Sequence, residues 1–144
     1  MFGGINQLFT RMCDHPDFAK LLLRLTFGGL LLFHGEFKVV HGVAWIEHLL
    51  TVRGMPGFIA YGAYIGEILA PVMMIIGFMT RPAAFIIVIN MIVATLLVKM
   101  GVVWHLTDVG AWSLETEALY TLGALAIMFL GAGKYSLVRT PRLQ

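Results

Sequence analysis

Long apolar runs broken by single polar residues dominate the pattern of hydrophobic and polar positions along this chain. Crossing the hydrocarbon core of a bilayer takes roughly 20 largely apolar residues. Four segments qualify: 18–40, 58–78, 82–98 and 113–130. The first carries Arg24 near its start, and the second is interrupted only by Glu67. The third is apolar apart from Asn90 and Thr95, and the fourth reaches spanning length only with Glu115 and Glu117 included. GMPG at 54–57 is a turn signal ahead of the second span. GFMTRPAA at 77–84 is a tight connection that predicts Pro82 at the first helical position, where its missing N–H costs nothing. GAGKYS at 131–136 supplies a helix stop, with Gly131 or Gly133 able to take positive φ.

Between the first two spans, VAWIEHLLTVRG places Val43, Ile46, Leu49 and Leu50 on one helical face, with Glu47, His48 and Arg53 off it. That pattern predicts a short amphipathic helix lying in the membrane interface. Trp45, Trp104 and Trp112 fall in the two longer connections, where interfacial tryptophans belong. The expected architecture is all-α: one domain over 1–144, an integral membrane four-helix bundle with a short amphipathic interfacial helix between the first two spans.

Composition agrees with a lipid environment. The chain is 59% hydrophobic and 12% charged, about half the charge of an ordinary soluble domain. A net charge of +2, with the cations scattered singly, gives no footprint for nucleic acid. The single cysteine, Cys13, excludes an intramolecular disulfide or a C-x-x-C redox pair. The first apolar stretch is broken by Arg24 and runs into FHGEFK instead of a small-residue cleavage site, so it is expected to stay in the mature protein. Arg11, Lys20, Arg81, Lys134, Arg139 and Arg142 fall on one side of the spans, against Lys38, Arg53 and Lys99 on the other. This bias puts both termini in the cytoplasm of a multi-pass protein.

Polar groups inside hydrocarbon are costly and usually face protein or water. At about 1.5 Å of rise per residue, Lys38 lies about 3 Å inside the outer boundary, Glu117 about 6, His34 about 9, Asn90 about 12 and Glu67 about 14 Å. All four spans thus bring a polar group to the same half of the bilayer. On the first span Arg24, Gly28, Leu31, Gly35 and Lys38 share a face flanked by His34 and His41, and Glu36 points away. Pro71, four residues after Glu67, removes the usual helical partner of the Glu67 carbonyl. Arg24, Lys38 and His34 are the basic groups expected within reach of Glu67. The candidates for handling a ligand or protons are therefore His34, Lys38, Glu67, Asn90, Glu117 and Arg24.

Three stretches, RLTFGGLLLFHGEFK, RGMPGFIAYGAYIGEILAPVMMIIGFMTRPAA and GAGKYSLVR, carry a family likeness. Together they resemble the DoxX family of small four-helix membrane proteins, with Val138 standing where many relatives carry an Asp. Relatives are described as subunits of thiosulfate–quinone oxidoreductases, as members of membrane oxidoreductase complexes, or only by their helices. By this resemblance Arg24, His34, Lys38 and Glu67 match the family's motif positions.

The function expected is that of a non-autonomous subunit of a quinone-linked or sulfur-linked membrane oxidoreductase system in the bacterial inner membrane. Quinone is the candidate cofactor, with the lipid bilayer and a protein partner or homo-oligomer around the chain. The other functions open to the residues are proton or small-solute permeation and a membrane assembly or scaffold role. No metal site is expected: His34, His41, His48 and His105 are available, but no spacing among them is a known ligand pair.

Overall fold

Backbone N–H and C=O groups find no water in hydrocarbon, so a chain this apolar must pair them internally, as helices or as a closed barrel. The computed structural model describes residues 2–143 and is helical throughout. Among the described residues there is no strand, only an isolated bridge between Leu106 and Trp112. Helix α1 spans Phe2–Cys13, α2 Pro16–His41 and α3 Ala44–Val52. Helical segments α4 (Gly57–Ile76) and α5 (Thr80–Val102) follow, and α6 runs from Glu115 to Leu130. A loop joins α5 to α6.

Three of these, α2, α4 and α5, are long and apolar enough to cross a membrane. At most 33% of the most apolar window of each is buried inside the protein. Large side chains such as Phe18, Leu22, Phe33, Ile65, Leu69, Phe85, Ile89 and Leu96 instead point outward. A monomeric soluble protein does not expose apolar surface on that scale; lipid is its partner. Helix α6, with 16 residues, is about 24 Å long. Its outward side chains Leu119, Leu122 and Phe129 are equally apolar.

Helix α2 packs on α4 and α6, and α5 packs on the same two. Their shared core is Leu31, Ala70, Met74, Ala83, Ala84, Ile87, Met91, Ala124 and Ile127. Four alanines sit among the larger side chains, because lipid supplies no hydrophobic drive between helices and close van der Waals packing must hold them together. Gly35 is the clearest case. A Cβ there would lie 2.5 Å from the Glu67 carbonyl oxygen and from Ile68 Cγ1. The α2 face of Arg24, Gly28, Leu31 and Gly35 is buried, and Glu36 is exposed.

Helix α3 forms where the apolar periodicity predicts it, but its stripe of Val43, Ile46 and Leu50 is buried against Ala60 and Leu97. Protein covers that face. Two further details differ from expectation. Helix α5 begins at Thr80, so Pro82 is its third residue, still within the first turn where a missing N–H is harmless. Helix α1 was not among the expected elements, although Ile5, Leu8, Phe9 and Met12 recur at helical spacing.

After α6 the chain crosses the ends of the other helices. Lys134 N–H donates to Asp17 Oδ1 at 3.2 Å, Leu137 N–H to Ile76 O at 3.0 Å, and Met79 N–H to Leu143 O at 2.7 Å. Gly77 closes α4 with φ +82°, a left-handed conformation that a glycine adopts without strain.

Substituting Gly35→Ala is expected to destabilise the protein by about 1–3 kcal/mol, because the methyl group meets backbone that cannot retreat. Gly29→Ala, on the same helix but with nothing within 4 Å of its Cβ, is expected to cost nothing. Thermal unfolding of both variants in detergent micelles checks the contrast.

Candidate functional site

Helix α4 is not regular. It opens with a 3-10 stretch at Gly57–Tyr61 and carries a π-helical stretch at Ile65–Leu69 before regular α-helix resumes. There the Ala70 N–H donates to Ile65 O, five residues back. Glu67 sits inside this wider turn, and its carbonyl oxygen faces α2 at Gly35. Helix α5 contains a second π-helical stretch, Thr95–Lys99, which ends on Lys99. Single π turns within α-helices are rare and gather at functional sites. Each of these two holds a charged residue that pairs with a neighbouring helix.

Lys38 of α2 donates to both carboxylate oxygens of Glu67. The pair is well enclosed, with side-chain exposures of 14% for Lys38 and 5% for Glu67. Asn90 of α5 adds a bond from its Nδ2 to Glu67 Oε1 at 3.2 Å. Tyr64 OH donates to the Lys38 carbonyl at 3.0 Å, tying α4 to the last turn of α2. A carboxylate removed from water keeps its charge only if paired and hydrogen-bonded, and Glu67 has both forms of support.

A second pair lies nearby. Lys99 Nζ is 3.0 Å from Glu117 Oε1 and also donates to the Ser113 carbonyl at 3.1 Å. Thr121 Oγ donates back to the Glu117 carbonyl at 2.7 Å. Both pairs line one cavity of about 410 Å³, whose walls also include Phe33, His34, Phe37, Trp45, Met91 and Tyr120. A second cavity of about 330 Å³ shares Lys38, Trp45 and Glu67 with the first. Its remaining wall is largely apolar, with Ile46, Leu50, Phe85, Ile89, Val93 and Leu97.

The structure brings five of the six candidate residues to this region. Lys38, Glu67 and Asn90 bond directly; His34 and Glu117 line the larger cavity. The His34 ring meets the Tyr120 ring edge-on at 5.6 Å, and its Nδ1 lies 3.2 Å from Leu30 O. Arg24 is elsewhere. It lies 14 positions before Lys38, about 21 Å along α2, and is wholly buried. Its guanidinium donates to the Tyr135 carbonyl of the segment after α6, so it is not a partner of Glu67. His41 stacks on Phe37 at 4.1 Å, and His48 and His105 are exposed. Among the described residues no three of His, Cys, Asp and Glu gather as a metal site would require.

A family model described as DoxX matches residues 19–100, more than half of the chain. The chain belongs to the DoxX family. No solved structure matches it. The matched segment of this DoxX protein holds Lys38, Glu67, Asn90 and Lys99, and it ends before Glu117 and Tyr120. Lys99 was missed as a site residue from sequence, where it figured only as a cation on one side of the spans. Its depth on α5, level with Glu117 on α6, was the signal available.

Removing one member of a buried ion pair is more damaging than removing both. Lys38→Met is expected to destabilise the protein by about 3–5 kcal/mol, because Glu67 is left with Asn90 alone. The double variant Lys38→Met/Glu67→Leu should recover most of that loss. Unfolding midpoints in detergent check this, with Glu67→Leu alone completing the cycle; a double-variant loss equal to the sum of the two single losses would show that the pair is not coupled.

Proposed function

We propose that this DoxX protein is a four-helix bundle of the bacterial inner membrane, a single domain with both termini cytoplasmic and α6 as its fourth span. In this reading α3 lies at the outer boundary and roofs the polar cavity with Trp45, which lines both cavities. The cavity is the ligand site of a non-autonomous subunit in a quinone-linked or sulfur-linked oxidoreductase system.

One observation carries the reading. Two lysine–carboxylate pairs, drawn from α2, α4, α5 and α6, meet at a single cavity with aromatic and apolar walls. Ligand sites have this composition: a mostly apolar shape with a few placed polar groups. A flat ring bearing carbonyl oxygens suits it. Phe33, Phe37, Trp45 and Tyr120 offer faces and edges for the ring, and Lys38 Nζ and Lys99 Nζ are donors for its oxygens. A quinone, when bound, supplies the two-electron redox chemistry. Lys38 would hold an acceptor oxygen, Glu67 would hold or pass one of the two accompanying protons, the other coming from water, and Asn90 fixes the carboxylate's orientation. The single cysteine leaves no thiol pair in the chain to carry electrons, so that role falls to a partner protein.

A scaffold role is the second reading, favoured by the saturation of Glu67: both of its oxygens already accept bonds within the protein. Purification in mild detergent, followed by solvent extraction and mass spectrometry for quinone, separates the two. Stoichiometric quinone in the unsubstituted protein, lost from the folded fraction of a Glu67→Gln variant, is the expected result. No quinone in either protein would overturn the redox reading, and quinone retained by folded Glu67→Gln would leave Glu67 to the scaffold role.

A further inference from the structure

Among the described residues, the first helix leaves its apolar side largely uncovered by the rest of the protein. Every residue from Gly3 to Cys13 is exposed. Ile5, Leu8, Phe9 and Met12 are each more than half exposed and fall within about 100° of arc at helical spacing. Asn6, Gln7, Thr10 and Arg11 lie on the other side, together with Gly3, Gly4 and Cys13. This is the composition of a helix that lies flat in a bilayer interface, with a narrow greasy stripe and a polar back.

Its attachment sets its depth. Only Asp14 and His15 separate α1 from α2, and the link is itself bonded, Asp14 N–H to Thr10 O at 2.9 Å and His15 N–H to Cys13 O at 2.8 Å. Pro16 then starts α2, a helix whose first turns present Phe18, Leu22 and Leu25 to lipid. Met12, the last residue of the stripe, is thus four positions before the start of α2. The same end of the molecule exposes Arg11, Arg81, Lys134, Arg139 and Arg142 against the acids Asp14 and Asp17, of which Asp17 is paired with Lys20. Cations at that level complement anionic headgroups.

We propose that α1 is a lipid-binding surface: its Ile5–Leu8–Phe9–Met12 stripe sinks into the interface of the bilayer that α2 crosses, with Gln7, Thr10 and Arg11 turned to the headgroups and water. The inference is independent of what the polar cavity binds.

Cys13 is the chain's only cysteine, so a Cys13→Ser background allows a single spin label at a chosen site. The full chain is reconstituted in nanodiscs of mixed phosphatidylcholine and phosphatidylglycerol, open to reagents on both faces. Labels are compared at Phe9→Cys and Gln7→Cys, with Ile5→Cys as a second stripe position should Phe9→Cys fold poorly. Relaxation by oxygen, which concentrates in lipid, is measured against relaxation by a water-soluble nickel chelate. The ratio of oxygen to nickel accessibility should be several-fold higher at positions 9 and 5 than at 7. Equal ratios at all three positions would overturn the proposal, low ones placing α1 in water and high ones placing it in lipid on every side. Shielding of positions 9 and 5 from both reagents would overturn it in favour of a protein occupant, such as a second copy of the chain.

Discussion

A carboxyl group buried within a membrane helix is costly unless a partner reaches it, here from a neighbouring helix, and that requirement organises this protein. Glu67 and Lys38 lie on α4 and α2, and their contact needs the two backbones to approach closely. Gly35 permits the approach by leaving room for the Glu67 carbonyl where any larger residue would collide. Asn90 from α5 completes the set, so one acidic side chain sets the spacing of three helices. Replacing the cluster with apolar side chains would remove a desolvation cost, since buried ion pairs are seldom a net source of stability. Keeping it is consistent with a use beyond packing.

The π-helical stretch of α4 serves the same purpose. An extra residue in a helical turn rotates everything after it by about 100°, so a charged position and the apolar face that follows can both point inward. In α4 the shift falls at Glu67, with Ala70, Pro71 and Met74 buried beyond it; in α5 the π-helical stretch ends on Lys99, and Met100 and Val102 beyond it are exposed. Helices of uniform pitch would have to choose between these demands.

Much of this was legible in the chain. Lengths and breaks of apolar runs located the long helices, and the phase of α2 identified its buried face from Arg24 to Gly35. Depth counting brought His34, Lys38, Glu67, Asn90 and Glu117 to the same half of the bilayer. What it could not give was direction at each end. Arg24 shares a face with Lys38, yet it turns toward a segment more than a hundred residues later, which no local pattern reveals. The π turns were hidden for a similar reason: Pro71 signalled a disturbed hydrogen bond, but not the neighbour toward which the Glu67 carbonyl would turn. Helix α1 was overlooked because its stripe is short and lies outside the long apolar runs, although its period is clear. For α3 the periodicity was read correctly, but what covers its stripe depends on Ala60 and Leu97 from elsewhere in the chain.

The bond between Arg24 and the Tyr135 carbonyl also says something about how the protein comes to exist. Its two ends are 111 positions apart, on the first long helix and on the segment that follows the last. While the chain emerges from a ribosome, α2 enters the membrane with a cation whose acceptor has not yet been made. Until Tyr135 arrives, that guanidinium must be served by water or headgroups at the bilayer edge, holding the Arg24 end of α2 near the surface. The segment that carries Tyr135 must therefore be in place before Arg24 of α2 has this acceptor.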